Sequence, residues 1–191
     1  MKGQLTEQEI QEEWDSNPFK QPYLEKVVIH SSIGQSGPEL QKAAKIIELL
    51  TQKKPVLLKA KKSVKEWGIR KGQNIAVKVT LRGEDATKFL KRVLIVNDNR
   101  ILKRAFDNKG CVAFGINEHI TIPGVKYLHE LGIIGLDIMI RIVRPGFRVK
   151  NRRYRRSKIA KNHYVSKEEA MYFMKKQYKV EVVDRMEERY Y

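Results

Sequence analysis

The chain has 191 residues, 41% of them hydrophobic, a net charge of +17 and a pI near 9.9. That length and apolar content suit one domain, with or without appendages, and exclude a disordered polycation. A single cysteine excludes an internal disulfide and a cysteine-based zinc cluster, and the four histidines show no metal-ligand spacing.

Charge is segregated along the chain. Residues 1–16 hold one Lys against five acids, a net −4, so the remaining 175 carry +21. Thr6-x-x-Glu9 reads as a capping box with Leu5 and Ile10 as its staple, opening a short acidic helix over 7–14 that stops before Asn17-Pro18. Tyr23 to His30 is a β-branched run and predicts a strand. Gly34, Gly37 and Pro38 predict a turn into a helix over 38–51, with Leu40, Ala43, Ala44, Ile47 and Leu50 as its apolar stripe. Gly34-x-x-Gly37 is too short to read as a phosphate loop.

Pro55 and Val56 open a strand-like piece that runs into a basic stretch. Beyond Gly72, Ile75 to Leu81 alternates, with Ile75, Val77, Val79 and Leu81 on one face and Ala76, Lys78 and Thr80 on the other. A helix over 84–96 buries Phe89, Leu90, Val93 and Leu94. Val112, Phe114 and Ile116 alternate, with Cys111 expected as a small core residue. So do Leu136, Ile138, Ile140 and Ile142, opposite Asp137, Met139, Arg141 and Val143. Residues 144–165 read as an extended basic arm, and Ser166-x-x-Glu169 caps a last helix over 167–178 with Ala170, Phe173 and Met174 inward.

These elements predict an α/β (α+β) fold: an antiparallel or mixed sheet with helices on one face and an open, basic opposite face. The expected organisation is an acidic N-terminal appendage (1–16), a single RNA-binding domain (17–183) and a tail (184–191). Two basic runs stand out. Lys53–Lys71 has eight Lys or Arg against one acid, and Arg148–Lys161 has eight in fourteen residues with no acid. Cations interleaved with Trp67 and Tyr154 suit a polyanion with exposed bases. Apolar strand residues stop near Leu58 and resume at Ile75, so 59–71 is expected to project as a loop with Trp67 packed at its base.

Several segments in order then resemble one family. They are V-V-I-H-S-S-I-G-Q-S-G (27–37), T-Q-K-K-P-V (51–56), K-A-K-K-S-V-K-E-W-G-I-R-K-G (59–72) and V-K-V-T-L-R-G (77–83). F-G-I-N-E-H (114–119), G-L-D-I (135–138) and R-P-G-F (144–147) follow. The set is similar to the universal large-subunit ribosomal protein L-five family, which binds 5S rRNA. The arm and V-S-K-E-E-A-M resemble its archaeal and eukaryotic branch.

The resemblance implies a structural constituent of the large ribosomal subunit, in the cytoplasm, with no chemistry of its own, no cofactor and no membrane. It implies 5S rRNA contact by His30, Lys53, Lys54, Lys78, Thr80, Arg82 and Arg141. Of the three polar positions that recur on the family's RNA side, only Thr80 is unchanged; His30 and Lys53 replace an Asn and a Gln. The projecting loop, with Lys59, Lys61, Lys62, Ser63, Lys65, Arg70 and Lys71, would reach peptidyl-site tRNA. Arg148, Lys150, Arg152, Arg153, Arg155, Arg156 and Lys158 would add contacts to large-subunit rRNA. Neighbouring 5S-complex proteins and a small-subunit head protein at an intersubunit bridge complete the implied partners.

The rival reading is a basic RNA-processing or RNA-modifying enzyme with Glu118-His119 and Asp137 as acid–base groups. Adjacent strand residues point to opposite faces, so Glu118 and His119 would not converge within a strand. A chromatin-type DNA protein would show a helix-turn-helix or basic-zipper pattern, and none is present.

Overall fold

The protein is described here from a computed structural model covering residues 6–185. The Leu5 half of the staple and residues 186–191 of the tail lie outside the described residues. The expected strands form and two short ones join them: β1 (Tyr23–Ser32), β2 (Val56–Lys59), β3 (Asn74–Leu81), β4 (Arg100–Leu102), β5 (Cys111–Ile116), β6 (Leu136–Val143) and β7 (Glu181–Val183). Five of them form one sheet in the order β2-β3-β1-β6-β5, and β3 runs antiparallel to both β1 and β2. The three-residue strands β4 and β7 pair in parallel. Among the described residues the α-helices are α1 (Glu7–Ser16), α2 (Pro38–Thr51), α3 (Gly83–Val96), α4 (Arg148–Asn151) and α5 (Lys167–Tyr178).

Contacts divide the chain into two compact units. The first comprises Lys26–Val96 and Ala113–Met139. Its strands turn Val27, Ile29, Val77, Val79, Leu81, Leu136 and Ile138 inward. Helix α2 packs on β3. Its stripe is Leu40, Ala43, Ile46, Ile47 and Leu50, with Ala44 only half-buried, so Ile46 takes the place expected for Ala44. Gly37 enters this helix at φ 138, a conformation that residues with a Cβ rarely adopt, and Pro38 follows at the first turn, where its missing N–H has no partner to lose. Helix α3 buries Ala86, Phe89, Leu90, Val93 and Leu94 at the i, i+3, i+4 spacing of one helical face.

The second unit holds the residues up to Glu25, Asn97–Val112 and the chain from Ile140 onward. Both capping boxes form as expected: Glu9 Oε2 accepts from Thr6 N at 2.8 Å, and Glu169 Oε2 accepts from Ser166 N at 2.8 Å. The acidic helix α1 packs on α5. Ile10 and Trp14 are buried, the Trp14 ring lies 5.2 Å from Tyr172, and Lys175 reaches Glu7 at 2.7 Å. Ala170, Phe173 and Met174 of α5 are buried. Cys111 is half-buried at the first position of β5, not enclosed, because the chain is only entering the strand there.

Gly110 shows how closely this unit is packed. Its carbonyl accepts from Ile142 N at 2.8 Å, and its φ is +73. A Cβ there would stand 2.4 Å from Ile142 O and 3.0 Å from Val165 Cβ. Gly110→Ala therefore combines left-handed strain with a backbone collision, and a loss of about 2 kcal/mol or more is expected. Urea unfolding monitored by far-UV circular dichroism checks it: the midpoint falls while the slope is unchanged.

Candidate nucleic-acid interface

In the first unit, register brings the expected polar residues onto one sheet face. Lys78 of β3 stands opposite His30 of β1 on one side and Val56 of β2 on the other, and Thr80 stands opposite Val28. Directly opposed residues in an antiparallel pair share a face, so His30, Lys78 and Thr80 are neighbours. Thr80 is exposed; Lys78 and His30 are half-buried. The face also carries an acid that alternation alone did not weigh as a partner: Asp137 Oδ2 lies 3.1 Å from His30 Nδ1. That carboxylate favours an Nδ1–H tautomer, which leaves Nε2 for another partner. Lys54 and Arg82 are exposed beyond the strand ends. Lys53 is exposed but paired with Asp85 at 3.1 Å, in the first turn of α3.

The loop between β2 and β3 is an ordered hairpin. Past the strands, Ala60 N donates to Gln73 O at 2.8 Å and Gly72 N to Ala60 O at 2.9 Å. Val64 and Ile69 then exchange both backbone bonds, at 2.9 and 3.1 Å, and Gly68 N closes a turn on Lys65 O at 3.1 Å. Lys71 N donates to Ser63 Oγ at 2.9 Å, which ties the two arms again. Ser63 therefore supports the hairpin from within. Lys59, Lys61, Lys62, Lys65, Arg70 and Lys71 are exposed.

Trp67 is a correction. It lies in the tip turn and is 72% exposed, not packed at the loop base. The Val64–Ile69 pairing leaves only the turn residues beyond it, and a turn at a hairpin tip has no interior to enter.

In the second unit Arg141 differs from the other expected sheet cations. Its Nε is 3.1 Å from Glu25 Oε2, an ion pair without hydrogen-bond alignment, and its guanidinium lies over the Phe147 ring at 5.7 Å. The arm is likewise not simply extended. It begins with the one-turn helix α4 and folds back, with Ser157 N donating to Val149 O at 3.2 Å.

Its two ends are pinned together. Arg144 donates to Asn162 O at 3.2 Å, His163 Nε2 meets Pro145 O at 2.7 Å, and buried Phe147 stacks on His163 at 5.8 Å. Lys150 donates to the Tyr164 hydroxyl at 2.8 Å and so holds that phenol below its ordinary value. Arg148, Arg152, Arg153, Arg155, Arg156 and Lys158 remain exposed.

The rival acid–base group does not assemble. Glu118 is exposed, while His119 is buried in a one-turn 3-10 helix and its Nδ1 accepts from Ile134 N at 3.3 Å. Asp137 belongs to His30. Burial pushes the His119 imidazole below its ordinary 6.5, against the opposing pull of the Glu118 carboxylate. A folded-state value below the unfolded one means the unfolded chain takes up the proton first. The His119 contribution is thus complete above pH 6.5 and is lost as pH falls below it. Denaturant stability measured from pH 7.5 down to 5.5 should drop more in the parent chain than in His119→Asn; equal slopes would show that His119 is not the group responsible.

Comparison with known proteins identifies the family. A family model described as ribosomal protein L5 matches residues 17–70, and one described as the ribosomal L5P family C-terminus matches residues 74–177. The large ribosomal subunit protein uL5 of Aeropyrum pernix is 52% identical over 164 residues, spanning 85% of each chain. The uL5 of Sulfurisphaera tokodaii is 48% identical over 169 residues, 88% of this chain and 96% of its own. That of Archaeoglobus fulgidus is 45% identical over 157 residues, 82% and 88% respectively. With consecutive matches through both halves and identities of this size over most of its length, the chain belongs to the ribosomal protein L5 family.

Proposed function

We propose that the chain is a structural constituent of the large ribosomal subunit that holds 5S rRNA on the Lys78–Thr80 face and peptidyl-site tRNA on the 59–71 hairpin. It works on ribosomes in the cytoplasm and catalyses nothing. One observation carries the reading: the hairpin's six cations are exposed on a hydrogen-bonded frame, and among the described residues none of them is ion-paired. Unneutralised charge held in place matches a phosphate backbone, and releasing that backbone's counterions supplies affinity.

His30, Lys78 and Thr80, flanked by Lys53, Lys54 and Arg82, offer donors for phosphate and ribose. Arg141, committed to Glu25 and Phe147, acts as support more than as a free contact. The arm's arginines add large-subunit rRNA. Neighbouring 5S-complex proteins and the small-subunit head need apolar contact as well. The first unit has a cleft of about 270 Å³ lined by Ile46, Leu49, Leu50, Val125, Leu128 and Leu131, with Leu49 and Leu128 exposed at its surface, that suits such a neighbour.

Lys78→Glu should weaken 5S rRNA binding by about 1.5–3 kcal/mol, the worth of a charge-assisted contact. Filter binding measures it; an unchanged affinity, with 5S rRNA protected on another surface, would remove this face from the reading. Affinity of the parent chain should also fall log-linearly with salt, and a flat titration would mean that the cations are not the contact surface.

The hairpin has its own test. Replacing Val64–Ile69 by Asn-Gly shortens the tip and keeps the Ala60–Gln73 and Gly72–Ala60 bonds. Binding of 5S rRNA should persist while retention of peptidyl-site tRNA on ribosomes falls. The reverse result would assign the hairpin to 5S rRNA instead.

A further inference from the structure

The folded-back arm carries a feature that general phosphate binding does not require. Arg148, Arg152, Arg153, Tyr154 and Arg155 line an open, shallow concavity. Tyr154 is 80% exposed at its wall. The loop that presents it is fixed: Arg152 N donates to Arg148 O at 2.8 Å, Arg152 Nε donates to Arg155 O at 2.9 Å, and Arg155 is left-handed at φ 48. Among the described residues no carboxylate pairs with the four arginines.

Resting on the RNA-binding reading above, we infer that this concavity seats one unpaired, unstacked nucleotide of an RNA strand, with its base on the Tyr154 ring and its flanking phosphates on the arginines. A duplex does not use the site fully. Bases inside an A-form helix stack on each other, and its deep, narrow major groove keeps side chains from their faces. A phosphate alone leaves the phenol ring with nothing to cover it. An unstacked nucleotide supplies both an aromatic face and the charges beside it. Stacking on an aromatic side chain tolerates any base, so the site selects for strand geometry and not for sequence.

The test compares the full-length parent chain, Tyr154→Ala and Tyr154→Phe. Tyr154 is exposed and makes none of the bonds that shape the loop, so all three chains keep the fold. The probes are an RNA single strand of about ten nucleotides carrying one 5-iodouridine and a blunt RNA duplex of about the same length. Tyr154→Ala should lower affinity for the single strand about tenfold, and Tyr154→Phe should keep it, because the ring is retained. Duplex affinity should be equal in all three. Light-induced crosslinking followed by peptide sequencing should place the iodouridine on Tyr154 in the parent chain.

The inference is overturned if Tyr154→Ala binds the single strand as the parent does, if it loses both probes equally, or if the crosslink falls outside the arm. Parent-chain binding to 5S rRNA, measured alongside, separates the two readings. Its absence removes the wider one; its presence with a silent Tyr154 removes only this one.

Discussion

Arg144 and Glu169 form an ion pair that is almost wholly enclosed, with side chains 8% and 2% exposed. Enclosing two charges costs several kcal/mol per ion, and the structure offsets this by giving each further partners. The other oxygen of Glu169 takes the Ser166 N–H in the capping box of α5, while Arg144 also holds Asn162 O. One pair thereby joins the end of β6, the returning end of the arm and the start of α5. Without it a segment this rich in like charges has little reason to close on itself. Phe147, stacked on His163 and set edge-on to Tyr164, adds the apolar part of the same clasp.

The acids of this basic chain are placed with the same economy. Glu25 steadies Arg141, Asp85 takes Lys53, Asp137 orients His30, and Glu7 meets Lys175. Each sits at a joint between elements. The hairpin, by contrast, is organised by backbone hydrogen bonds and by Ser63, which leave its cations uncompensated. Their mutual repulsion would fall against an anionic surface. Mechanical order and electrostatic demand are therefore assigned to different groups.

Much of this was legible in the sequence. Strict alternation over Ile75–Leu81 and Leu136–Ile142 identified the strands and their buried faces, and the two capping boxes located α1 and α5. What escaped has physical reasons. β4 and β7 are three residues each, too short for a period to show. Ile46 replaced Ala44 in the α2 stripe because both lie near the stripe's margin, and burial there follows the neighbouring strand. Lys78 and Thr80 could be assigned to a face from their spacing. The carboxylates that meet His30 and Arg141 lie more than 100 residues away in sequence, and a one-dimensional pattern does not pair them. Trp67 was misplaced because hydrophobicity suggests burial, whereas a hairpin turn offers no interior to enter.

The position of β2 at the margin of the five-stranded sheet has a bearing on life before assembly. An outermost strand leaves one row of backbone donors and acceptors unpaired and invites strands of other chains to join. Here that strand is only four residues long, with Val56 and Leu57 57% and 42% exposed, a composition prone to sticking. Lys53, Lys54 and Pro55 precede it and Lys59 ends it. Charge and an imino acid at the rim are what keep such a margin from templating aggregates. These lysines thus act as gatekeepers, keeping the exposed edge of a newly made chain from joining strands of other chains.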